Sequence, residues 1–143
     1  MAFIDWSSKL LTHIPQIDTD HRRLFELINE LYAVTAEGNR DRVLSETLFN
    51  QLINYANYHF AAEEALMRKF HDPHFSEHKE VHERFRKQIL EYQRQVLQEG
   101  SAVNIEMARF LRNVILIDVT VNDMVLGNFL ASKEATKLGV MSV

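Results

Sequence analysis

The sequence contains no cysteine. That excludes disulfide frameworks, thiolate zinc sites, iron–sulfur clusters and cysteine nucleophiles, and it fits a reducing compartment. Turn formers are scarce, with 4 Gly and 2 Pro among 143 residues. A sandwich or barrel needs many turns, so this scarcity argues against all-β architecture and for long helices. No strong basic excess is present: Lys and Arg number 16 against 20 Asp and Glu, a net charge of −4, which provides no electrostatic footprint for nucleic acid. The longest unbroken apolar run, residues 114–117, is far short of a membrane span. The opening Met-Ala-Phe-Ile-Asp-Trp lacks the basic and apolar regions of a signal peptide. These absences lead to the expectation of one cytoplasmic domain, with neither a nucleic-acid nor a membrane partner.

What is present is helical periodicity. Residues 1–16 read as an irregular arm that Trp6, Leu10, Leu11 and Ile14 lay against the body. A first helix is expected over about 18–37, capped by Asp18 or Thr19, with Leu24, Leu27, Ile28, Leu31 and Tyr32 on one face and Gly38-Asn39 as its stop. A second is expected over about 41–70, with a stripe including Val43, Leu44, Leu48, Leu52, Ile53, Ala56, Phe60, Met67 and Phe70; residues 71–74 form a turn. A third spans about 75–99, with Val81, Phe85, Ile89, Tyr92 and Val96 on one face. The segment Val114-Ile-Leu-Ile-Asp-Val-Thr-Val121 is β-branched and locally reads as strand. After three helices a lone strand has no partner, so a buried fourth helix over about 104–131 is favoured. The expected architecture is an all-α, up-down-up-down antiparallel four-helix bundle, with the arm at about 1–16, the bundle at about 17–131 and a tail at about 132–143 that extends the last helix or frays.

The histidines carry the chemistry. His59 and Glu63 are four apart on the second helix, and His78 and His82 are four apart on the third. Such a pair stacks on one helix face, so both side chains can point at one metal. Both pairs lie among inward apolar residues, His21 lies near the inward stripe of the first helix, and Asp118 and Asp123 sit in the most apolar stretch of the fourth. Burying these ionisable groups separately would be costly; a shared ion removes the cost by making them ligands. Imidazole with carboxylate suits iron, manganese or zinc, and every helix contributes, as in bundle-core metal sites. His13, His71 and His74 fall in the arm and turn and read as solvated, although His74, four before His78, is the plausible substitute ligand. Glu64 faces solvent or supports a ligand, and Met67 reads as packing. A plain bundle with incidental His and acidic residues is the bland alternative.

Taken in order, Trp6, Ile17-Asp18-Thr19-Asp20-His21, His59-Phe60-Ala61-Ala62-Glu63-Glu64, Met67, Pro73, His78-Lys-Glu-Val-His82 and Phe110-Leu111 through Asp123 resemble the bacterial hemerythrin family from Trp6 to about Leu130. The resemblance implies two irons in the bundle, five terminal histidines, bridging Glu and Asp carboxylates, an oxo or hydroxo bridge, and O2 or a similar diatomic or peroxide ligand at one open position. By that likeness His21 and His59 hold the iron with the open position, His78 and His82 hold the other, and Glu63 and Asp123 bridge. The family's last-helix pattern, roughly Trp-Leu-x-x-His-Ile-x-x-x-Asp, here reads with Val114 in the Trp position and Asp118 in place of the fifth histidine. Asp118 reaches less far than His, so it ligates only if the helix moves in, or through water. As a ligand it adds negative charge, favouring the ferric state and a harder metal. The implied function is O2 storage, delivery or sensing; the alternatives are a di-iron oxidoreductase acting on O2 or peroxide, and a regulatory module holding zinc or manganese.

Overall fold

The computed structural model describes residues 3–38 and 41–136. Four helical rods make up the bundle: α1 (Pro15–Ala36), α2 (Arg42–Lys69), α3 (Phe75–Leu97), and a fourth rod made of α4 (Ile105–Ile117), a π turn (Asp118–Asn122) and α5 (Asp123–Thr136). No strand occurs among the described residues. The fourth helix therefore forms where the β-branched run locally suggested strand, and the tail continues it to Thr136; residues 137–143, and Asn39 in the first turn, lie outside the described residues. α1 packs against both α2 and α4, and α2 against α3; Tyr92 of α3 meets Phe110 of α4 edge-on, centroids 5.3 Å apart.

Two expectations about helix ends and faces are corrected. α1 starts at Pro15 rather than near residue 18, and Ile14 stands at the cap without a side-chain bond. Proline is suited to a first helical position because its missing N–H is not needed there. Neither Asp18 nor Thr19 therefore caps the helix. Asp18 instead accepts hydrogen bonds from the Thr12 amide and hydroxyl, both at 2.8 Å, and from the His13 amide at 3.0 Å. Val43 and Leu44, expected on the buried stripe of α2, are 76% and 44% exposed. They lie in its first turn, which Asp41 caps by accepting from the Leu44 amide; burial begins with Ser45, Leu48 and Phe49.

The arm is irregular but tied down. A 3-10 turn (Ser8–Leu10) interrupts it. The Ile4 amide donates to Asn29 Oδ1, and the Asn29 amide returns a bond to the Ile4 carbonyl, each at 3.0 Å. Phe3 stacks on Tyr32, and Trp6 meets Phe25 edge-on.

The core is divided in two. The larger cluster includes Leu24, Phe25, Ile28, Phe49, Leu52, Ala56, Phe60, Ile89, Met107, Leu111, Val114 and Val119. The smaller holds Ile17, Met67, Phe70, Leu126 and Leu130, so Met67 packs as expected. Three of the buried ionisable residues fall between these two apolar groups along their rods: His21 between Ile17 and Leu24, Glu63 between Phe60 and Met67, Asp123 between Val119 and Leu126. The run Ile105–Lys133 is long and apolar enough to cross a bilayer by length and composition, a property the short unbroken run at 114–117 did not suggest. Here its inward side carries Asp118 and Asp123 into the bundle, where lipid would offer them no partner.

Candidate metal centre

The fourth rod delivers two carboxylates from positions five apart. In a regular α-helix five residues turn through roughly 500°, leaving such side chains about 140° apart. The π turn removes that offset. The Asp123 amide donates to the Asp118 carbonyl, one residue wider than the α pattern, so the two side chains stack on one face. The Thr120 hydroxyl donates to the Leu116 carbonyl at 2.6 Å, taking the acceptor that an α-helix reserves for the Thr120 amide and loosening the ladder there. The strand-like Val119-Thr120-Val121 sequence thus marks the widened turn.

All seven residues singled out by spacing and resemblance come together in the interior. Ligating atoms of Glu63, His78, His82, Asp118 and Asp123 lie within 4.8 Å of one another, as do those of His21, His59, Glu63 and Asp123. Glu63 and Asp123 belong to both groups, and each gives a different oxygen to each. Asp123 Oδ2 is 2.6 Å from His21 Nε2 and 3.3 Å from His59 Nε2, whereas Oδ1 is 3.2 Å from His78 Nε2. Glu63 Oε2 is 3.2 Å from His59 Nε2, whereas Oε1 is 3.2 Å from His82 Nε2 and 3.7 Å from His78 Nε2. Asp118, despite its shorter reach, has Oδ1 3.5 Å from His78 Nε2 and 3.4 Å from His82 Nε2.

Two of the four imidazoles, those of His59 and His82, are oriented from behind. His59 Nδ1 faces Asp20 Oδ2 at 3.2 Å, and Asp20 Oδ1 accepts from the Tyr55 hydroxyl at 2.9 Å. His82 Nδ1 faces Glu64 Oε2 at 2.8 Å, and Arg86 Nη1 pairs with the same oxygen at 2.9 Å. Glu64 is therefore a buried support for His82 rather than a solvated side chain. A carboxylate on one ring nitrogen leaves the other free to ligate. Sequence reasoning gave Asp20 no role; its only signal was its place beside His21, and the histidine it supports lies on another helix. His13 and His71 are exposed, as expected of residues in the arm and turn. His74 is also exposed, its Nδ1 3.4 Å from Asp72 Oδ1, and it is not part of the cluster.

The electrostatics are those of crowded, buried ionisable groups. Burial raises the Glu63 carboxyl to about 7, aided by Asp123 and Asp118. Burial also works to raise Asp123, but the surrounding His21, His59 and His78 outweigh it and hold the carboxyl well below its usual range. Burial disfavours a charged His78, yet Asp118 and Asp123 pull it up to about 10; His82 rises to about 9 because Asp118 and Glu63 outweigh burial in the same way. Both oxygens of Glu63 and of Asp118, Oδ1 of Asp123, and Nε2 of His78 and His82 are buried without a hydrogen-bond partner. So many inward, unpartnered donor atoms in one place are costly unless cations accept their lone pairs. A nitrogen and carboxylate set free of sulfur fits iron well, so the residues present fit the metal the fold implies.

A helical bundle with a buried histidine–carboxylate cluster drawn from all four rods defines a bundle-core metal-binding protein. The model of the hemerythrin HHE cation binding domain matches residues 12–127. Bacteriohemerythrin of Stenotrophomonas maltophilia is 34% identical over 111 residues, covering 78% of this chain and 71% of that protein. Bacteriohemerythrin of Methylococcus capsulatus is 26% identical over 133 residues, covering 92% of this chain and all of that one (100%). A wild-type hemerythrin crystal structure superposes with a TM-score of 0.84 at 25% identity, covering 90% of this chain and 98% of that one. The chain belongs to the bacteriohemerythrin family, and is a hemerythrin-like metal-binding protein.

Proposed function

We propose that the chain is one hemerythrin domain that holds two irons and takes up O2 for storage, delivery or sensing. The observation that carries this reading is the sharing of Glu63 and Asp123, each with one oxygen toward either half of the cluster. In this reading His21 and His59 would hold one iron, His78, His82 and Asp118 would hold the other, and Glu63 and Asp123 would be shared between them. When bound, the iron pair supplies the two electrons that reversible O2 uptake draws on.

The chain's own residues set the conditions. Asp20 and Glu64 fix the ring orientation of His59 and His82. The His21 half gathers four protein donors and the His78 half five, so the smaller set leaves the space for a small ligand. His21 and His59 are fully buried, which keeps bulk water from that side; Trp6 lies against the His21 ring, centroids 6.4 Å apart.

A second reading, a di-iron oxidoreductase acting on O2 or peroxide, draws on Asp118. A third carboxylate in the cluster favours the higher oxidation state and thereby weakens simple carriage. One experiment separates the readings: metal stoichiometry together with the visible spectrum, recorded under nitrogen and then in air. The proposal expects two irons per chain and a spectrum that returns when O2 is removed. Sustained O2 consumption over many turnovers favours the oxidoreductase, and zinc or manganese without O2 uptake refutes both.

A further inference from the structure

A sealed cluster has to be filled from outside, and six of its seven side chains are at most 1% exposed; His78, at 6%, is the one that reaches the surface. Its ring lines a pocket of about 370 Å³ between α3 and the second half of the fourth rod. Glu77, Glu80 and Arg84 of α3 form one wall, and Asn122 of the π turn and Val125 of α5 form the other. His78 Nε2 has no hydrogen-bond partner. Directly inward of it stand three carboxylate oxygens: Asp123 Oδ1 at 3.2 Å, Asp118 Oδ1 at 3.5 Å and Glu63 Oε1 at 3.7 Å.

We propose that this pocket is the doorway through which divalent cations load the centre, with His78 as the first inner donor and Glu77 and Glu80 as the attracting rim. The proposal rests on the metal-centre reading above. A hydrated cation exchanges water for protein donors stepwise, and here the donors are graded. Exposed carboxylates come first, then the His78 imidazole that lines the pocket with its unpartnered Nε2 turned inward, then oxygens less than 4 Å beyond it. The other cluster histidines offer no such step: His21, His59 and His82 are closed off from solvent. Arg84 stands on the same rim with the opposite sign, so it opposes the approach of a cation. Rim charges act on arrival rate more than on final affinity.

The test uses the full chain, stripped of metal and mixed with Co2+ in a stopped-flow instrument, with uptake followed by Co2+ absorbance and stoichiometry measured at the end. Glu77→Gln with Glu80→Gln is expected to slow uptake by about tenfold at low salt, with the gap closing as salt rises. Arg84→Gln is expected to speed uptake. Val125→Trp, at a position 44% exposed, is expected to slow both uptake and release to a chelator. Final stoichiometry stays that of the unaltered protein in every case. Unchanged rates at full stoichiometry, or a shift in the same direction from the acid and arginine variants, overturn the doorway alone. If the unaltered protein takes up no Co2+, the metal-centre reading falls and the doorway with it.

Discussion

Removing Asp20 tests whether the centre has two halves with separate supports. Its Oδ2 is 3.2 Å from His59 Nδ1 and its Oδ1 accepts from Tyr55 at 2.9 Å, and among the cluster histidines it is His59 whose ring it contacts. In Asp20→Ala both contacts go, and the His59 ring loses what fixes its orientation and tautomer. Losing such a support costs about 10- to 100-fold in metal affinity, or roughly 1.4–2.8 kcal/mol. Asp20 is 5% exposed and His59 fully buried, so water replaces the carboxylate poorly and the loss belongs near the upper end of that range. The effect is one-sided, because His82 leans on Glu64 instead. The assay is a competitive Co2+ titration of metal-free protein against a fluorescent chelator, resolving two stepwise constants. One constant is expected to fall by about 30- to 100-fold while the other stays within about threefold. Glu64→Ala is expected to weaken the other step. Equal weakening of both constants by Asp20→Ala, or a change under about threefold in each, refutes the assignment of Asp20 to the His59 half.

The shared carboxylates lead to a different expectation. Glu63→Gln or Asp123→Asn is expected to remove metal from both positions, and elemental analysis that finds just one equivalent missing argues against bridging. Asp118→His, which restores the imidazole of the family pattern, is expected to lengthen the life of the oxygenated form; an unchanged decay of its visible spectrum removes Asp118 from the account of the site. In the metal-free protein His78 and His82 bind protons up to about 10 and about 9, held there against burial by the neighbouring carboxylates. A metal must displace those protons, so affinity is expected to rise with pH toward that range, with proton release measurable by titration calorimetry in buffers of different ionisation enthalpy. Gly127→Ala would put a Cβ 2.9 Å from both Thr12 Cβ and the Thr12 carbonyl oxygen. It is expected to destabilise the protein by about 1–3 kcal/mol in urea unfolding, and an unchanged midpoint would mean that the arm yields freely.

The bundle was legible because the sequence has few turn formers and its apolar residues recur at helical spacing. The inward faces of α2 and α3 were legible because four-residue spacing is a property of a regular helix, so His59 with Glu63 and His78 with His82 could be placed without knowing the neighbours. Asp118 and Asp123 were harder. Regular periodicity sets them on different faces, and what unites them is a widened turn whose sequence trace was a β-branched run that read as strand. Asp20 escaped notice because its partner is on another helix, where no spacing rule applies. Asp18 was misread because capping preferences describe isolated helix ends, whereas here Pro15 starts the helix and the aspartate ties down the arm. Val43 and Leu44 were taken as core because an apolar stripe says which face is inward but not where the neighbouring rods stop.

The wide turn at Asp118–Asn122 has a consequence for chain length. Val121 lies within it, is 55% exposed, and many side chains would serve there equally well. Deleting it would close the wide turn to a regular one, and Asp118 and Asp123, then four apart, would stand about 40° from each other around the axis and still share a face. The wide turn thus takes up one residue more than a regular rod needs without parting the two carboxylates.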